Sequence, residues 1–291
     1  MCIPPKTGTT SWQVFFIKNQ YGNKTSFKKR IDNLDNSLRP LWLNNVTPRF
    51  HEFTNNSQFL NSRNLIKIIN SRHPFERIYS AWHEKFTVHD SEWSSKINSK
   101  SQLNRALKIH FGNILGLFPK QYEIIKNRYE WKSDRKGSDL KILVTFPAFL
   151  RFILDDLSRL KNGLKLKYKN GVDNKNQHWD PMYLECDPCN INYNIITKTE
   201  TLKSDVQKVI ELLDYKDGTF PNANNSTKSL STVTGVEKIA RNYAAWKIPL
   251  STIMKLEEKY RLDFELFDYN FQEFYDAYLK LINPPINLSN Q

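Results

Sequence analysis

With 291 residues the chain is long enough to bury one substantial core, and nothing in its composition forces a split into independent domains. Charged residues make up 25% and aromatics 13%, while Gly and Pro are sparse, which excludes a disordered or fibrous chain. A formal net charge of +13 calls for anionic partners, and nucleic acid, a phosphorylated nucleotide, a sulfated glycan and an anionic membrane all fit it.

In chain order, Met1 to Trp12 reads as the end of a strand, a tight turn and the start of a helix, which Val14, Phe15, Phe16 and Ile17 continue. Leu65 to Ile69 is an apolar run of strand length, and after Arg72-His73-Pro74 a helical pattern runs from about Phe75 to Phe86. Residues 88–139 are polar and irregular with aromatic islands, and read as an insertion. Leu140 to Phe146 returns as a strand, followed by a helix from Pro147 to Asp156 with Pro in its first turn. A basic, Asn/Gly-rich loop leads to Gln177, a strand is expected from Tyr193 to Thr197, and Leu202, Val206, Val209, Ile210 and Leu213 trace one helix face. Helical patterns close the chain up to Pro284-Pro285. Strands alternating with helices imply an α/β fold, a P-loop-like parallel sheet flanked by helices with long polar insertions, in a single domain over 1–291.

No run of about 18 apolar residues and no signal-peptide pattern is present in the sequence. Sequons at Asn23, Asn45, Asn55, Asn224, Asn225 and Asn287 point to a lumenal protein. The three cysteines are Cys2, Cys186 and Cys189; with no second Cys pair, structural zinc is disfavoured, and the expectation for Cys186-Asp187-Pro188-Cys189 is a local disulfide or two free thiols.

Two segments carry chemistry. A strand-to-helix turn rich in hydroxyls and glycine gathers backbone N–H groups and a helix dipole around one anion, and Pro5, Lys6, Thr7, Gly8, Thr9, Thr10 and Ser11 supply such a turn, Lys6 adding a cation. The Gly-x-x-x-x-Gly-Lys-Ser/Thr spacing of nucleotide hydrolases is absent, which disfavours an ordinary ATP or GTP site. Arg72 stands where a strand ends and Ser80 on the helix that follows, a bidentate fork and a hydroxyl suited to one phosphate at the carboxyl ends of a parallel sheet.

Pro5-Lys6-Thr7-Gly8-Thr9-Thr10-Ser11-Trp12 resembles the loop by which sulfotransferases hold the 5′-phosphosulfate of 3′-phosphoadenosine 5′-phosphosulfate (PAPS). Arg72 to Ser80 resembles their 3′-phosphate motif, in the form found in Golgi carbohydrate sulfotransferases of the HNK-1 and chondroitin/dermatan 4-O type. His178-Trp179-Asp180-Pro181 with Cys186-Asp187-Pro188-Cys189, then Lys198 to Leu202, then Tyr260 to Phe267, are similar to blocks of that family in the same order. Thr7-Gly8-Thr9-Thr10 is closer to the wider superfamily. Members carry a cytoplasmic tail, a membrane anchor and a stem ahead of the loop, so the first strand is expected to be truncated here, with membrane association only through a segment outside this sequence.

The resemblance implies an enzyme that moves a sulfuryl group from PAPS to a carbohydrate hydroxyl, a glycosaminoglycan or glycoprotein glycan, in the Golgi lumen, without nucleic acid and without a metal. In-line transfer through a loose transition state requires positioning and charge stabilisation. Lys6 is then the candidate catalytic cation, Arg72, Arg77 and Ser80 the nucleotide ligands beside the loop, with an acidic partner as the alternative for Arg77, and His51 or His178 the candidate base. Trp179 is a candidate for stacking on a sugar or for the core, and the basic 161–169 loop for holding an acidic glycan. The competing readings are a P-loop phosphotransferase and a non-catalytic relative that binds anionic glycans.

Overall fold

The computed structural model describes residues 2–4, 6–9, 11–12, 15–16, 66–86, 132–136, 139–158, 160–161, 164–165, 176–214, 220 and 235–283. Its elements run β1 (Ile68–Ser71), α1 (Pro74–Phe86), β2 (Lys132–Lys136), β3 (Asp139–Leu143), α2 (Phe146–Leu157), β4 (Leu160–Lys161) and β5 (Leu164–Lys165). There follow α3 (Met182–Cys186), β6 (Ile195–Lys198), α4 (Leu202–Leu212), α5 (Gly235–Ala245), α6 (Leu250–Leu266) and α7 (Phe271–Ile282). The chain forms two compact units, 1–73 with 185–234, and 74–184 with 235–291.

The first unit is built on β1, buried at all four positions as a strand covered on both faces must be. It pairs in parallel with β6, Asn70 opposite Thr197 and Ser71 opposite Lys198. On its other edge Cys2 forms a parallel bridge to Ile69, the Cys2 N–H donating to Ile68 O at 2.8 Å and the Asn70 N–H to Cys2 O at 3.0 Å. The helix face read from the sequence is present in α4: Val206, Val209 and Ile210 pack with Trp12, Phe15 and Ile68 in one apolar cluster. Burying each large side chain contributes roughly 1.5–3 kcal/mol.

The second unit is mainly helical. In α1, Pro74 occupies the first turn, where a missing N–H costs nothing, and Phe75, Ile78, Trp82 and Phe86 line the buried face. Phe75 meets Phe264 and Phe274 edge-on at centroid distances of 5.3 and 4.8 Å, and the Tyr243 hydroxyl donates to Phe75 O at 3.0 Å. Thr145 caps α2 through Ala148 N–H, and Asn270 caps α7 through Gln272 N–H.

Two expectations need correction. The strand expected from Leu140 belongs to no parallel sheet: β3 pairs antiparallel with β2, Lys132 opposite Leu143, as a local hairpin at the end of the insertion. Nor do Cys186 and Cys189 form a local disulfide. Cys186 is bonded to Cys2 across 184 residues of sequence, and Cys189 is a free, exposed thiol. What stands is an α/β chain with a small parallel sheet and a majority of helices among the described residues.

Candidate functional site

The turn that leaves Cys2 contains two left-handed residues, Lys6 at φ 73° and Gly8 at φ 77°. Glycine adopts that conformation without penalty; a lysine there costs on the order of 1 kcal/mol or more and persists only if its surroundings hold it. The surroundings are hydrogen bonds. Arg72 Nη1 donates to Lys6 O at 2.7 Å, joining residues 66 apart in sequence. Asn70 Nδ2 donates to Thr7 O, and Thr197 Oγ1 donates to Asn70 Oδ1 at 2.6 Å. The Thr7 and Thr9 hydroxyls both donate to Pro4 O, at 2.6 and 2.9 Å, so the single proton of each serves the turn itself. The Trp12 N–H donates to Gly8 O at 3.2 Å, which opens the helix.

Arg72 therefore stands at the end of β1 with its guanidinium on the lysine turn. His73, next to it, is buried, and its backbone N–H donates to Glu200 Oε1 at 2.8 Å. Burial first, and the Arg72 charge second, lower the His73 imidazole to about 3, so it is neutral and contributes no positive charge.

Of the other expected residues, Ser80 is half-buried on α1 and Ser11 is buried in the helical segment that follows the lysine turn. Pro5, Thr10 and His51 lie outside the described residues.

Arg77 departs from the expected phosphate contact. It is 1% exposed; Nη2 donates to Gln177 O at 2.6 Å and Nη1 to Asp180 O. It thereby clamps the turn that carries His178. The same turn is held by Tyr260, whose hydroxyl donates to Trp179 O, by Asn176 N–H to Asp180 Oδ2 at 2.8 Å, and by His178 N–H to Asn176 Oδ1 at 3.1 Å. Asp263 takes the N–H groups of Met182 at 2.7 Å and Tyr183 at 2.9 Å, capping α3 from a distant helix. Burial raises the Asp263 carboxyl to about 6 against the opposing pull of those two bonds and of Arg77. Trp179 is a core residue: 1% exposed, edge-on to Phe149, its Nε1 donating to Asp156 Oδ2 at 3.3 Å. Its buried ring has no face for a sugar.

Sequence reasoning left Asn70, Thr197, Tyr260 and Asp263 without roles. A signal existed for the first: an Asn inside an isoleucine-rich strand is out of place unless its amide is needed.

A family model described as the Sulfotransferase family matches residues 1–270. The chain belongs to that sulfotransferase family. Carbohydrate sulfotransferase 11 of Danio rerio is 23% identical over 285 residues, and that of Mus musculus 24% over 287, each alignment covering 96% of this chain. Carbohydrate sulfotransferase 14 of Danio rerio is 29% identical over 174 residues, 58% of this chain and 41% of the relative. This sulfotransferase chain spans 66% of the length of the two type 11 relatives, and no solved structure matches it. Among its described residues no group of three or more His, Cys, Asp and Glu is placed to hold a metal ion, and no helix is long and apolar enough to cross a membrane.

Proposed function

We propose that this sulfotransferase transfers a sulfuryl group from PAPS to a hydroxyl of a carbohydrate chain. The observation that carries the reading is the 2.7 Å bond from Arg72 to the Lys6 carbonyl, which sets the arginine of one phosphate-type motif on the turn of the other at the end of β1. The residues fit a nucleotide with two anionic groups: the Arg72 guanidinium reaches the backbone of the turn that carries Lys6, and left-handed Gly8 leaves that backbone open to close approach. The family match and the relatives named carbohydrate sulfotransferases favour this reading over a P-loop phosphotransferase.

PAPS supplies the sulfuryl group and leaves as the 3′,5′-bisphosphate. Lys6 and the backbone N–H groups of the turn that follows it stabilise charge on the leaving phosphate, as the anion-binding turn of a P-loop-like fold does. Arg72 and Ser80 take the 3′-phosphate, each charge-assisted hydrogen bond contributing about 1.5–3 kcal/mol. His178 or His51 accepts the proton of the attacking hydroxyl. Arg77 holds the His178 turn. The acceptor is a glycosaminoglycan or a glycoprotein glycan, consistent with the +13 charge, and the compartment is the Golgi lumen, consistent with the Cys2–Cys186 disulfide and the sequons.

The test is transfer of radiolabelled sulfate from PAPS to a panel of desulfated glycosaminoglycans and glycoprotein glycans, by the wild-type chain and by Lys6→Ala. Labelled product that Lys6→Ala fails to make supports the reading. A folded wild-type chain that labels no carbohydrate contradicts it and leaves a binding relative.

A further inference from the structure

Asn70 lies under the lysine turn, fully buried in the middle strand of the sheet, and both ends of its amide are used. Its orientation is settled by chemistry. The Thr7 carbonyl only accepts, so the NH2 group must face it, and Oδ1 then receives the Thr197 hydroxyl at 2.6 Å. Thr197 is Asn70's register partner on β6, so the sheet pairing itself supplies the group that locks the amide.

The consequence for the turn follows from peptide geometry. In a trans peptide the carbonyl of one residue and the N–H of the next point in opposite directions, and no cis bond is present here. A Thr7 carbonyl drawn down onto Asn70 therefore turns the Gly8 N–H up, away from the sheet. Gly8 follows at φ 77°, and a Cβ placed there would meet Leu202 Cδ2 at an ordinary 3.7 Å, so backbone conformation and not lack of space demands the glycine. Asn70, Thr7 and Gly8 thus form a lever whose fixed end is the sheet and whose free end is one N–H donor.

We infer that Asn70 is a positioning residue for the 5′-phosphate end of the nucleotide: it holds the Thr7–Gly8 peptide in the one orientation that presents the Gly8 N–H to that anion, and Thr197 locks Asn70 in turn. The inference rests on the sulfotransferase reading above and assigns Asn70 and Thr197 no contact with substrate. It differs from a plain structural role in what it predicts, because the lever serves only ligands that reach the turn.

The experiment uses two nucleotides that differ at that point alone, 3′-phosphoadenosine 5′-phosphate and adenosine 3′-monophosphate, titrated by calorimetry into the wild-type chain, Asn70→Leu and Thr197→Val. Asn70→Leu, similar in size and without the amide, is expected to weaken the bisphosphate at least tenfold while the 3′-monophosphate changes less than twofold. Thr197→Val, which keeps the side-chain volume and frees the amide to turn, is expected to act selectively in the same direction by about threefold, and it decides the matter if Asn70→Leu does not fold. Equal weakening of both nucleotides, or none of either, overturns the role. A folded wild-type chain that binds neither nucleotide overturns the sulfotransferase reading itself, and this proposal with it.

Discussion

Replacing Asp263 by asparagine isolates one buried charge. The carboxylate accepts two backbone N–H groups at the start of α3 and is fully buried, and burial lifts it from its ordinary 3.8 to about 6. Between those two values the folded chain holds a proton that the unfolded chain has released. Stability contributed by this group is therefore complete below about pH 4 and falls as the pH rises to about 6. A difference of about two pH units, at about 1.4 kcal/mol each, makes the change about 3 kcal/mol. The amide of the variant does not titrate, and its NH2 group opposes one of the two backbone N–H groups, a pH-independent loss of about 1–3 kcal/mol. Denaturant unfolding of wild type and Asp263→Asn from pH 4 to pH 8 is the assay; other carboxylates cancel in the difference. The variant should be clearly less stable than wild type at pH 4, and the gap should narrow or close by pH 7. A gap that stays constant, or widens toward pH 7, would show that no proton is taken up at this carboxyl on folding.

Arg77→Lys removes the fork that holds the Gln177 and Asp180 carbonyls while keeping the charge. It should lower stability by about 2–4 kcal/mol in denaturant melts and leave 3′-phosphoadenosine 5′-phosphate affinity within twofold; a tenfold loss of affinity in a folded variant would return Arg77 to the nucleotide. Reducing the Cys2–Cys186 bond, or replacing both residues by Ser, should cost about 2–5 kcal/mol. A melting temperature indifferent to reductant would show that the bond does not hold the first unit together.

Elements set by local apolar patterning were legible in the sequence. β1, α1 and α4 stand close to where the Leu65–Ile69 run, the Pro74 start and the Val206–Val209–Ile210 stripe put them. The hairpin of β2 and β3 was not: Lys132 to Lys136 is a run of charged and polar residues with no period of two, so only backbone pairing reveals it. The disulfide was illegible because spacing favours the near pair, and only the fold sets Cys2 and Cys186 at a Cα separation of 5.8 Å. At the site, the residue types that an anion needs pointed to Lys6 and Arg72, and the structure joins them. Arg77 escaped because a phosphate fork and a carbonyl clamp use the same guanidinium; burial alone tells them apart. The Tyr260 to Phe267 block was recognisable only as a resemblance. Its physical content is the Tyr260 hydroxyl on Trp179 and the Asp263 cap on α3.

If the lysine turn and Arg72 together bind the sulfuryl donor's nucleotide, removing the Arg72 side chain must release it. Calorimetric titration of 3′-phosphoadenosine 5′-phosphate into the wild-type chain and Arg72→Ala is the decisive comparison. Micromolar binding is expected for wild type, with a loss of about a hundredfold or more in Arg72→Ala, which removes both the proposed phosphate ligand and the bond to the Lys6 carbonyl. Undiminished binding by Arg72→Ala, or none by a folded wild-type chain, would contradict a nucleotide site at this turn.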